Sequence, residues 1–276
     1  MLPSSLYLMV TVVFFKLNVG REVAEFAARH LYQELLADSN YAEGKYEKAL
    51  KAAFLNIDKR LNELAGREEL IKIANEFGGE EAGSPTKQGL MSNSSEGAEM
   101  KGCTANAILI KNGTLYVANA GDSRSVLSKS KAHIELSTDH KPDMESEKAR
   151  IIKAGGVVED GRVDGNLNLS RALGDLHYKT NMTLKPEEQM ISAEPEIKTL
   201  KIDSTFEFIV MGCDGIYESK SSQEIIAFFR KEFETNGGKI KESIEKLFDV
   251  TCSSDYIKTE GLGCDNMTCI VIKFNH

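Results

Sequence analysis

The segment Ile209-Val210-Met211-Gly212-Cys213-Asp214-Gly215-Ile216-Tyr217-Glu218 sets the reading of the chain. An apolar run from Phe206 to Met211 drives into an aspartate flanked by glycine. That pattern predicts a buried strand ending in a turn that presents a carboxylate. The same logic closes the sequence, where Gly263-Cys264-Asp265-Asn266 leads into the strand-like run Met267 to Ile272. Two such aspartates suit hard oxygen ligation of a cation if the fold brings them together. Each taken singly reads equally well as an ordinary Asp-Gly turn.

With 276 residues the chain is long enough for a substantial core. Charged residues at 28% and hydrophobic ones at 41% describe a globular protein rather than a disordered one. A formal charge of −8 argues against a nucleic-acid binder, whose footprint is a basic face. The five cysteines have no CxxC spacing, which predicts buried, reduced thiols in an intracellular protein and no zinc site. Leu6 to Phe15 is apolar but about half the length of a membrane span. Without a basic flank before it or a small-residue cleavage site after it, it reads as a buried strand. No membrane partner is expected, and cytoplasm or nucleus is the default location.

Helical spacing marks Gly20 to Ala37 and Lys45 to Leu64, with His30 on an apolar stripe as a core or boundary residue. Residues 78–102 are rich in Gly, Ser and Glu without periodicity, which predicts a flexible loop or insertion. Thr104 to Ile110 and Thr114 to Ala120 flank an Asn-Gly pair and predict a hairpin. Ser125 to Leu127 predicts a short strand, and Met144 to Ala154 a helix stopped by Gly155-Gly156. Ser221 and Glu224 form a capping box opening a further helix, and Ile240 to Val250 predicts another. Strands interleaved with helix pairs, without regular alternation, predict an α+β fold with antiparallel sheets.

Several chemistries are excluded. No cysteine has an arginine six residues on, Ile216 breaks a DxD pattern at Asp214, and GxSxG, Walker and HExxH motifs are absent. Aspartates beside glycines remain: Asp122, Asp164, Asp175, Asp214 and Asp265. Such a set suits Mg²⁺ or Mn²⁺.

Gly102-Cys103-Thr104-Ala105, Tyr116 to Arg124 (YVANAGDSR), Asp139-His140-Lys141-Pro142, Leu169 to Asp175 (LSRALGD), Cys213 to Ile216 and Asp265-Asn266 follow in that order. Together they resemble the successive motifs of the metal-dependent protein serine/threonine phosphatases of the type 2C (PPM) family. The resemblance implies a single domain over residues 1–276, N-terminally incomplete, folded as a four-layer α-β-β-α sandwich. Two antiparallel sheets are then flanked by helix pairs. It also implies a Mg²⁺ or Mn²⁺ pair whose bridging water attacks phosphoserine or phosphothreonine in protein substrates. By the same resemblance Asp214 and Asp265 hold the first metal, while Asp122 and Glu218 belong to a weaker third site. A self-bonded turn stays open as the alternative for Asp122 and Glu218. Arg171 and Asp175 are expected to be mainly structural.

One motif departs. The family carries Asp-Gly-His-Gly-Gly before the Arg-Glu-Val-Ala-Glu-Phe helix, its aspartate bridging both metals. This chain reads Lys16-Leu17-Asn18-Val19-Gly20. The family's upstream arginine, which grips phosphate, and its acidic pair for the second metal have no counterpart. A lysine in place of a bridging carboxylate weakens binding of two dications. Two expectations follow. Either a phosphatase has a truncated or altered N-terminus from splicing or an erroneous gene model, or a pseudophosphatase binds phosphoproteins without hydrolysing them. Feeble or absent activity is expected of this chain.

Overall fold

The computed structural model describes residues 9–15, 20–78 and 101–275. Two antiparallel sheets form its centre. The first contains β1 (Met9–Phe15), β2 (Gly102–Lys111), β3 (Thr114–Ala120) and β9 (Glu196–Lys201), in the order β1-β2-β3-β9. The short β8 (Leu173–Gly174) pairs with the start of β2. The second runs β11 (Cys269–Lys273), β10 (Phe206–Gly212), β4 (Arg124–Lys129), β5 (Ala132–Glu135). A two-stranded ribbon of β6 (Val158–Glu159) and β7 (Arg162–Val163) stands apart.

The helices are α1 (Arg21–Ala37), α2 (Ser39–Ala42), α3 (Tyr46–Asn62), α4 (Leu64–Gly78), α5 (Glu145–Lys153), α6 (Asp214–Tyr217), α7 (Ser222–Asn236), α8 (Ile240–Thr251) and α9 (Tyr256–Thr259). The alternating side chains of each strand assign the layers. From β2, Cys103, Ala105, Ala107 and Leu109 join Phe26, Leu31, Phe54 and Ile57 in a core between the first sheet and α1, α3 and α4. The opposite face supplies Ile108, Leu115 and Val117, which pack on Leu127, Phe206, Ile209 and Met211 between the sheets. On the outer face of the second sheet, Val126, Phe208 and Val210 meet Ile225, Phe229 and Leu247 of α7 and α8. The layers are therefore helix, sheet, sheet, helix, as the resemblance implies. Small side chains on the helix-facing side of β2 let α1 and α3 sit close while Phe26 and Phe54 fill the space.

Local chemistry accounts for the elements it announced. Asn112 and Gly113 both take positive φ, 51° and 66°, as a two-residue hairpin turn matching strand twist requires. The Ser221 hydroxyl accepts the Glu224 amide while Glu224 bonds back to the Ser221 amide, which caps α7. Helix α4 has no counterpart in the sequence expectations. It packs Leu70 and Ile73 into the first core, and Glu69 carries the partner of His30 at 2.9 Å. His30 is thus a boundary residue. The expectation of buried thiols fails for two cysteines: Cys103 and Cys213 are buried, whereas Cys252 and Cys264 are exposed, with all five free. Cys252 caps the end of α8 and Cys264 lies in the loop between α9 and β11, where an apolar neighbourhood in sequence no longer means burial.

The strand expected over Leu6 to Phe15 is β1, which pairs with β2 from Met9↔Ile110 to Phe15↔Thr104 and closes that edge of the sheet. The Lys16 to Val19 departure, and all of the expected 78–102 loop except its ends, lie outside the described residues. Among the described residues, no helix is long and apolar enough to cross a membrane.

Removing residues 1–16 uncovers the β2 edge and is expected to cause aggregation; a soluble, cooperatively unfolding deletion overturns this role for β1. Phe54→Ala, at a fully buried position, is expected to cost about 3–5 kcal/mol in urea denaturation.

Candidate active site

Strand register builds the site. Gly212, the last residue of β10, faces Arg124 at the start of β4 and Cys269 at the start of β11. Antiparallel neighbours begin where β10 ends. The loops carrying Asp122, Asp214 and Asp265 therefore emerge at one edge of the second sheet. Asp214 opens α6 directly after β10, and its Oδ1 accepts the Gly215 amide at 2.9 Å. The Asp265 Oδ1 accepts the Asn266 amide at 2.6 Å.

Contact between the two loops is tight. A Cβ on Gly215 would lie 2.4 Å from the Asn266 carbonyl oxygen, so only glycine allows this approach. Cys213 completes the seam: its Sγ donates to the Asn266 carbonyl at 3.1 Å and accepts the Thr268 amide at 3.3 Å. Burial raises the Cys213 thiol pKa, and burial pushes Cys269 up to about 12. These thiols are packing elements, not nucleophiles.

The carboxylates crowd each other. Asp214 is raised to about 6, first by burial and then by the negative charge of Asp122, Glu218 and Asp265. Asp122 is buried and receives the Lys141 ammonium at 2.5 Å. Burial alone would lower the Lys141 pKa, yet Asp122, Asp139 and Asp214 raise it. Glu218 and Asp265 are exposed, with the Glu218 amide on the Asp214 carbonyl at 2.7 Å. The arrangement gathers oxygen donors of the kind hard divalent cations take. Among the described residues, no three His, Cys, Asp or Glu side chains form a ready metal-binding group.

A polar scaffold holds the Asp122 turn. Arg124 forks onto Asp139 at 3.1 and 2.8 Å, donates to the Ser222 hydroxyl at 3.2 Å, and lies 4.8 Å over the Tyr217 ring. The His140 amide donates to the Gly121 carbonyl at 3.0 Å, and the Ser123 and Thr104 hydroxyls pair at 2.8 Å. The Asp139-His140-Lys141 turn thus clamps Gly121 to Arg124 from one side.

Behind it stands a carboxylate that sequence reasoning missed. Glu147 of α5, only 1% exposed, receives Arg171 Nη2 at 2.7 Å, Arg150 Nη1 at 2.7 Å and the Ser170 hydroxyl at 2.6 Å. Arg171 also donates to the Glu194 carbonyl, and Ser170 to the His140 carbonyl. Burial alone would raise the Glu147 pKa; Arg171, Arg150 and Ser170 overcome it and hold the carboxyl at about 2. Its only sequence signal was an acidic residue within an otherwise surface-like helix. Asp175 also serves structure: its amide bonds Lys101, and its Oδ2 is buried without a hydrogen-bond partner.

Comparison with known proteins agrees with this architecture. A phosphatase from Toxoplasma gondii of known structure superposes with a TM-score of 0.67 at 22% identity, covering 99% of this chain and 86% of that one. The two chains therefore share one fold. The family model for Protein phosphatase 2C matches residues 12–256. "Probable protein phosphatase 2C 6" of Paramecium tetraurelia is 47% identical over 255 residues, covering 92% of this chain and 79% of that protein. "Probable protein phosphatase 2C 21" of Arabidopsis thaliana is 38% identical over 273 residues, covering 92% and 76%. The chain belongs to the protein phosphatase 2C family, which makes it by class a protein serine/threonine phosphatase.

Glu147→Ala strands two partly buried guanidinium groups and is expected to cost about 3 kcal/mol in urea denaturation. Because the folded pKa lies below the ordinary carboxylate value of about 4.3, the wild-type contribution is present above that pH. It is lost as pH falls toward about 2, so the urea midpoint of Glu147→Gln is expected to vary less over this window than the wild type's. Gly215→Ala is expected to push the Asp265 loop away and reduce turnover roughly a hundredfold while the thermal midpoint moves by a few degrees. Unchanged phosphate release would overturn the seam's importance.

Proposed function

We propose that this chain hydrolyses phosphoserine and phosphothreonine esters of proteins at the edge where Asp122, Asp214 and Asp265 converge. Asp214 and Asp265 would hold one Mg²⁺ or Mn²⁺, and Asp122 with Glu218 a weaker further ion. The observation that carries the reading is the strand register that brings the Asp122, Asp214 and Asp265 loops to one sheet edge, where burial and then the charge of Asp122, Glu218 and Asp265 raise the Asp214 carboxyl to about 6. A cluster that repels itself gains most from a divalent cation. Ions that keep several waters and bind through one or two carboxylates, as Mg²⁺ does, need no three-residue cage. When bound, such an ion supplies a water acidified toward neutral pH and charge to offset the phosphoryl oxygens.

The protein's own residues supply order. Gly215 and Cys213 hold the Asp214 and Asp265 loops together, which sets the spacing of the two carboxylates. Lys141 balances Asp122 in its buried position, and Arg124 with Asp139 fixes the turn from which Asp122 projects. None of the thiols is needed, in keeping with direct attack by water rather than a covalent intermediate.

Lys16 supports a low rate for this chain, because it stands where the family has a bridging carboxylate. Phosphate release from a phosphothreonine peptide with Mn²⁺ tests the reading. Expected is a weak rate that Asp214→Asn abolishes and that rises when Asp-Gly-His-Gly-Gly replaces residues 16–20. If the repaired chain also releases phosphate no faster than Asp214→Asn, hydrolysis is ruled out and phosphoprotein binding becomes the better account.

A further inference from the structure

The two partners of the Asp122–Lys141 pair are unequally placed. The Asp122 side chain is only 3% exposed, whereas that of Lys141 is 40% exposed. Among the described residues no other cation pairs with Asp122. A buried carboxylate left unpaired is costly, so the ammonium neutralises charge that Asp122 cannot return to water. Burial works against the charge of Lys141, and Asp122, Asp139 and Asp214 outweigh it. The protein's own cation therefore stands among the carboxylates proposed to hold divalent ions.

Main-chain bonds pin both sides of the pair. The His140 amide donates to the Gly121 carbonyl at 3.0 Å, and the His140 carbonyl accepts the Ser170 amide at 3.0 Å. The Lys141 carbonyl accepts the Met144 amide at 3.2 Å, and Arg124 holds Asp139. Asp122 and the Lys141 backbone are thus fixed, while the lysine ammonium rides on a flexible stem that is already partly in water. The ammonium can leave the carboxylate without disturbing the turn.

We propose that Lys141 is a resident counter-ion of Asp122: it competes with a divalent cation for that carboxylate and sets how weakly the further ion binds. The inference rests on the reading of Asp122 as a cation ligand. An ammonium and a dication on one carboxylate repel each other, so the ion binds only as the ammonium withdraws. The affinity observed is then reduced by the fraction of chains in which Asp122 is already paired. In the absence of the ion, the same ammonium keeps the buried carboxylate satisfied and the turn in place.

Titration of the full chain with Mn²⁺, following the free ion by electron paramagnetic resonance, tests it. The binding that Asp122→Asn removes defines the Asp122 site. Lys141→Gln keeps a hydrogen-bond donor without the charge and is expected to tighten that site about tenfold. Lys141→Arg, which keeps the charge, is expected not to tighten it, and Lys141→Gln in the Asp122→Asn background is expected to change nothing. Mn²⁺ is also expected to raise the thermal midpoint of Lys141→Gln more than that of the wild type. Unchanged or weaker binding by Lys141→Gln, equal tightening by Lys141→Arg, or an equal rise in midpoint would overturn the counter-ion role and leave the cation reading standing. If Asp122→Asn removes no Mn²⁺ binding from the wild type or from Lys141→Gln, Asp122 is no cation ligand, and both readings fall.

Discussion

The register of β10 between β4 and β11 is the constraint on which the rest depends. Gly212 faces Arg124 on one side and Cys269 on the other, so three loops leave the sheet at the same level. A slip of one residue would turn Phe208 and Val210 away from α7 and α8, and Ile209 and Met211 away from the facing sheet. Because both faces of β10 are buried, the penalty falls on both cores at once. The hydrophobic effect thereby fixes the position of three aspartates that make little apolar contact themselves.

Bringing carboxylates together costs free energy, and the structure offsets it with cations and hydrogen bonds arranged outward from the site. Lys141 meets Asp122, Arg124 grips Asp139, and Glu147 receives Arg150 and Arg171. These pairs satisfy buried charge rather than add large net stability. Their value lies in specifying one arrangement of the loops, since each guanidinium joins backbone segments from different parts of the chain. Asp214 keeps a carboxyl raised by burial and by the negative charge of Asp122, Glu218 and Asp265.

Much of the architecture was legible in short-range chemistry. Asn112-Gly113 specified a hairpin, Ser221 and Glu224 a helix start, and the apolar stripe of α3 a buried face. Ordered motifs pointed to Asp122, Asp214 and Asp265, whose loops the strand register brings to one sheet edge. Glu147, Lys141 and the Asp58–Lys179 pair were not legible as such, because a charged residue on a helix or turn ordinarily faces solvent. Whether it is buried depends on the element packed above it. Cys252 and Cys264 erred in the opposite direction, lying near apolar residues in sequence while facing water at a helix end and in a loop.

The sequence by itself determined most element types and the family. Those properties reside in periodicity, turn chemistry and contiguous motifs. Tertiary structure decided which ends of which strands meet, how closely Gly215 approaches Asn266, and which charges are stripped of water. These depend on atoms brought together from separate segments, such as Cys213 against Asn266 and Asp58 against Lys179. Only the packing of two sheets and their helices sets such distances, and with them the electrostatics of the site.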